Sequence, residues 1–176
     1  MGYSNTIIED LLTGFRPVLG TDYNKYRNHV YRVFLNCILI DRLEANAEKY
    51  AIAAVFHDIG IWTDQTFDYL QPSIRQAEIY LTRINKAAWL DEISLMINWH
   101  HKISKYKGMH TETVENFRKA DWIDVSLGLL SFDLDRKSIN ETRKKFPNAG
   151  FHLFLIKETV KNFFRHPLNP LPIFKK

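Results

Sequence analysis

Apolar residues recur along the chain at spacings of three and four, and stretches of strict alternation are scarce. That period is helical. The pattern predicts a short first helix from Thr6 to Phe15, ending before Pro17, which disfavours helical backbone in the residue ahead of it. A second helix runs from Asp22, as N-cap, to Ile40, and a third from Leu43 to Asp58, stopped by Gly60. The segment from Ile61 to Pro72 reads as a loop. Further helices follow over Ser73 to Asn85, Ala88 to His101, Thr111 to Leu130, Asp135 to Lys145 and Phe151 to Phe164. The tail from His166 to Lys176 contains Pro167, Pro170 and Pro172 and reads as an extended arm. No repeat, low-complexity segment or linker divides the chain, so the pattern predicts one all-α domain over residues 1–176.

Composition narrows the setting. A length of 176 residues suits one domain with an ample core, and 45% hydrophobic with 25% charged residues is the composition of a globular chain. One cysteine, Cys37, on an apolar helix face, excludes an intrachain disulfide and a cysteine-based zinc cluster. The most apolar stretch, Val30 to Ile40, is broken by Arg32 and Asn36 and is too short to span a bilayer. No basic segment followed by an apolar one opens the chain, although Gly2 and Thr6 fit the short myristoylation pattern. These features predict a cytoplasmic protein without a membrane partner. The net charge of +4 is mild and dispersed, which suits a small anionic substrate better than specific nucleic-acid binding. The oligomeric state is left open.

Four polar residues then interrupt the apolar stripes. His29 sits in the stripe Tyr26, His29, Val33, Cys37, Ile40. His57 follows Tyr50, Ala53 and Ala54 at the end of the third helix, with Asp58 beside it, and Asp121 sits among Val114, Phe117 and Val125. A buried carboxylate must be paired, protonated or bound to a metal. Each residue alone is compatible with a hydrogen-bonded core position. Together, two imidazoles and two carboxylates make a mixed nitrogen and oxygen shell that suits a divalent transition metal (manganese, nickel, cobalt, zinc or iron) better than magnesium.

The order His29, then His57-Asp58, then Asp121 resembles the HD-domain superfamily of metal-dependent phosphohydrolases. The run Val55-Phe56-His57-Asp58-Ile59-Gly60 and the stretch Ala120-Asp121-Trp122-Ile123-Asp124 are similar to that family's motifs, and the resemblance extends over about residues 23–130. It implies an orthogonal helical bundle with His29, His57, Asp58 and Asp121 as metal ligands. Asp124, one turn on, is the substitute ligand if the helix phase differs. Binuclear members carry an additional histidine soon after the HD pair. Gln71, Pro72 and Ser73 fill that stretch here, so one metal is expected. His100 and His101 are then left to contact phosphate or donate a proton, or to complement a helix C-terminus.

The resemblance also marks the segment after the HD pair for substrate and proton handling. Asp64 and Asp68 are candidate acid/base groups, and Asp58 itself can orient the attacking water. Trp62 is the candidate stacking surface for a nucleobase, and Arg75, Lys102 and Lys105 are the nearest cations for a phosphate. Trp89, Trp99 and Trp122 read as core. The expected activity is hydrolysis of a nucleotide or other small phosphate ester by a metal-activated water. The alternatives are a di-iron oxygenase on the same fold and a non-catalytic nucleotide- or metal-binding regulatory module.

Overall fold

The computed structural model describes residues 4–165, so the proline-containing tail and Gly2 lie outside the described residues. The described chain is all-helical, with no strand among those residues. The main helices are α1 (Thr6–Leu19), α2 (Tyr23–Ile40), α3 (Ala47–Phe56), α4 (Gly60–Thr63), α5 (Leu70–Arg83), α6 (Leu90–Trp99), α7 (Thr111–Val125), α8 (Arg136–Lys145) and α9 (Phe151–Arg165). No helix among the described residues is long and apolar enough to cross a membrane.

Helix α3 is the axis of the bundle. Every residue from Tyr50 to Phe56 is buried, and Ala51, Ala53 and Ala54 let neighbouring helices approach closely. A helix that is apolar all round is a buried one. Helices α1, α2, α5 and α6 pack around it, and α7 lies against both α2 and α6. The Tyr26 hydroxyl donates to the Val55 carbonyl (2.8 Å) and ties α2 to the end of α3. Parallel stacking of Tyr31 on Phe146 (centroids 4.4 Å apart) holds the segment after α8 against α2.

Several predicted boundaries move. Pro17 sits inside the last turn of α1 rather than beyond its end. There it forfeits one hydrogen bond near a terminus, where burial of Leu19 sustains the helix. Asp22 makes no cap hydrogen bond; its carboxylate pairs with Lys25 and accepts from the Trp62 indole. The predicted loop from Ile61 to Pro72 is partly helical, since Ile61 and Trp62 lie in α4 and α5 already begins at Leu70. Helix α7 ends at Val125, five residues before the predicted Leu130.

Gly60 is also not a simple stop. It begins α4, where a Cβ would lie 2.5 Å from the Tyr69 carbonyl oxygen and 2.9 Å from Pro72 Cβ. Its own N–H donates to Ser73 Oγ (3.0 Å). Only glycine permits this approach, which clamps the start of α5 against the turn carrying His57 and Asp58.

Candidate metal centre

The turn after α3 brings His57 and Asp58 side by side. Ile59 N–H donates to the Phe56 carbonyl (3.2 Å) and Ile61 N–H to the Asp58 carbonyl (3.0 Å), so the chain tightens from α to 3₁₀ spacing there. His29 arrives from the middle of α2 and Asp121 from α7; all four side chains are buried. His29 Nε2 and His57 Nε2 stand 2.9 Å apart. Asp58 Oδ2 is 3.3 Å from His57 Nε2 and 3.5 Å from His29 Nε2. Asp121 Oδ1 is 3.7 Å from His29 Nε2 and 3.8 Å from His57 Nε2.

The outer nitrogens decide what these inner atoms are. His57 Nδ1 lies 2.8 Å from the Ala54 carbonyl and His29 Nδ1 2.7 Å from Asp124 Oδ2. Both partners are pure acceptors, so each Nδ1 carries the proton and donates it. In the neutral imidazoles each Nε2 then presents a lone pair, and two lone pairs face each other at 2.9 Å. Either a shared proton or a metal ion relieves that opposition. His100 repeats the pattern, with Nδ1 2.5 Å from the Ile97 carbonyl and Nε2 3.3 Å from Asp58 Oδ1. Asp58 Oδ1, His100 Nε2 and both Asp121 oxygens are buried without a hydrogen-bond partner. Orphaned buried acceptors of this kind are costly, and a metal ion beside His29 and His57 would give Asp121 a partner.

The residues present therefore fit a divalent metal. Donor atoms at about 2.0–2.2 Å from a shared ion lie roughly 3–4 Å from one another; His29, His57 and Asp58 offer ligand atoms within 4.8 Å of one another, and Asp121 Oδ1 approaches the group from the side of the two imidazoles. Where no metal is bound, protons substitute. Burial opposes charging of His29, but Asp124 and Asp58 outweigh it and raise its pKa to about 9. Burial likewise opposes ionisation of Asp58, yet the surrounding imidazoles, His57 foremost, hold its carboxyl well below the usual range. Burial pushes Asp121 the other way, upward.

Asp124 points behind His29 rather than into the cluster. It accepts from His29 Nδ1, from Arg32 Nε (2.5 Å) and from Arg32 Nη2 (2.9 Å). Asp124 is therefore not placed as the substitute ligand: it fixes the tautomer and orientation of His29. Arg32, 1% exposed, was not singled out by sequence. The signal available was spacing: His29 and Arg32 are one turn apart on α2, as are Asp121 and Asp124 on α7.

A second donor group shares Asp58. Asp58, His100 and His101 offer ligand atoms within 4.8 Å of one another. His101 is the cluster's most accessible member, with 14% of its side chain exposed. Its Nε2 is hydrogen-bonded to the hydroxyl of Tyr69, a buried residue sequence reasoning passed over.

The remaining predicted residues are not drawn into this cluster. Asp64 lies at the surface, accepting from Thr63 Oγ1 (2.8 Å) and pairing with exposed Arg75 (3.1 Å). Asp68 is also exposed, on the loop before α5. Lys102 follows His101, and its carbonyl accepts from Arg118 Nη1 (3.2 Å) and Trp122 Nε1 (3.3 Å), which anchors the end of the α6 segment. Trp62 lies in α4, not in an open loop. One side meets Tyr26 (centroids 4.6 Å) and Phe154 stacks on it (5.1 Å, 11° between planes), so a base could stack there only by displacing Phe154. A cleft of about 390 Å³ opens beside it, lined in part by Asp22, Phe67, Phe154 and Lys161.

The chain matches no protein-family model, no curated protein and no solved structure.

Proposed function

We propose that the chain is a metal-dependent phosphohydrolase of the HD-domain type, acting in the cytoplasm on a nucleotide or another small phosphate ester. The observation that carries this reading is the inward convergence of His29 Nε2, His57 Nε2, Asp58 Oδ2 and Asp121 Oδ1, each imidazole Nδ1 being bonded to an outer acceptor. His29, His57, Asp58 and Asp121 would hold one divalent transition metal. A metal so held lowers the pKa of a coordinated water and polarises a phosphoryl oxygen.

The chain's own residues supply the rest. Asp124 and the Ala54 carbonyl keep the His29 and His57 lone pairs turned inward. Asp58 has its second oxygen, Oδ1, outside the first donor group, where it can orient an attacking water. His101 is on the accessible side and is the group able to hand a proton to the leaving oxygen. The mild positive net charge favours an anionic substrate.

A second reading, a two-metal centre with oxidative chemistry, rests on the Asp58, His100 and His101 group. Turnover separates the readings. The metal-loaded protein should release inorganic phosphate from a panel of nucleotides and simple phosphate esters, and Asp58→Ala should not. Full activity in Asp58→Ala overturns the proposal. Thermal stabilisation by a nucleotide without turnover supports a regulatory module instead, and oxygen uptake by a protein holding two irons supports the oxygenase.

A further inference from the structure

Three imidazoles of the cluster are wired alike, and the fourth is not. His29, His57 and His100 each give Nδ1–H to an outer oxygen and turn Nε2 inward. His101 has Nε2 on the Tyr69 hydroxyl and turns Nδ1 toward Asp121 Oδ2, 3.7 Å away. Whether Nε2 accepts the phenol O–H or donates to the phenol oxygen, that nitrogen is taken up by Tyr69 and is not offered to a metal.

Tyr69 is held in that role by the fold. It is 2% exposed, and its hydroxyl also lies against Asp58. Its backbone is clamped by Gly60, where any Cβ would meet the Tyr69 carbonyl at 2.5 Å, and its carbonyl accepts from Ser73 N–H (2.9 Å). With His101 engaged, the second group is reduced to Asp58 Oδ1 and His100 Nε2, 3.3 Å apart. Two protein donors fall short of the three that transition-metal sites ordinarily use.

We infer that Tyr69 sets the metal count of this centre: its hydrogen bond withdraws His101 from the second donor group and keeps the centre mononuclear. This rests on the metal reading of the first group. Without the phenol, that bond is gone from His101 Nε2, which stands 3.9 Å from Asp58 Oδ1, and Asp58, His100 and His101 form a three-residue group.

The test is metal content after incubation with excess manganese or cobalt and desalting, read by elemental mass spectrometry. Wild type should retain about one ion per chain and Tyr69→Phe about two, with Tyr69→Phe plus His101→Ala returning to about one. In the manganese proteins, the paramagnetic resonance spectrum should change from that of isolated ions to that of a coupled pair only in Tyr69→Phe. Should Tyr69→Phe fail to fold, His101→Ala alone decides: its content must stay at about one, because His101 is not a ligand in wild type. Two ions in wild type, one in folded Tyr69→Phe, or loss of the ion in His101→Ala overturns the inference. No ion in wild type overturns the metal reading itself, and this inference with it.

Discussion

His29 Nε2 and His57 Nε2 face each other at 2.9 Å while the opposite nitrogen of each ring is already bonded to an acceptor. The two helices that deliver them, α2 and α3, are locked together by the Tyr26 to Val55 hydrogen bond, three residues before His29 and two before His57. The bundle therefore holds the two inner nitrogens at a spacing that a shared proton or a bound metal ion satisfies. From this arrangement the behaviour of several variants can be worked out.

Asp124→Ala should damage both metal binding and folding stability. It removes the acceptor that orients His29 and leaves the Arg32 guanidinium without its carboxylate in a buried position. Breaking a buried pair from one side costs about 3–5 kcal/mol, and loss of a partner behind a metal-ligating histidine weakens the metal by about 10–100-fold. Denaturant unfolding measures the first and metal titration of the folded protein the second. Unchanged affinity in a folded Asp124→Ala would mean that His29 is not a ligand.

Gly60→Ala tests the clamp. The added methyl meets backbone at 2.5 Å, and overpacking of this kind costs about 1–3 kcal/mol. The melting temperature should fall by several degrees. A melting temperature equal to wild type would show that α5 does not press on the histidine turn.

Away from the centre, Glu92 gives a pH test. Burial works to raise its pKa, but hydrogen bonds from Lys49 and Thr113 outweigh this and lower it below the ordinary 4.5. A depressed carboxylate stabilises the fold above its unfolded pKa and loses that contribution as pH falls through the folded one. Glu92→Gln should therefore melt below wild type at pH 7, and the gap should close as pH drops below about 4.5. A gap that is constant across that range would assign the effect to packing rather than charge.

The buried polar cluster was legible because polar residues broke apolar stripes: His29, His57 and Asp121 each occupy a position where helical spacing calls for a hydrophobe, and all are buried. The helix phase at Asp121 and Asp124 was not legible, since both lie on one face of α7 and the choice depends on Arg32 arriving from α2. Tyr69 was hidden for a similar reason. It is one aromatic among several in a short connection, and its hydroxyl reaches His101 only because Gly60 admits the start of α5. Asp64 and Arg75 read as chemical candidates from proximity to the HD pair, but they find each other at the surface. Pro17 in α1 shows tertiary burial overriding a local breaker, because its cost falls in the final turn.

The most direct test is the metal content of wild type and Asp121→Ala, both purified without chelator or a metal-affinity tag and shown to be folded. The account predicts about one transition metal per wild-type chain and none in the variant. A wild-type protein that takes up no metal, even after incubation with manganese, nickel, cobalt or zinc, would contradict it and leave the histidine and aspartate cluster as a proton-bridged core.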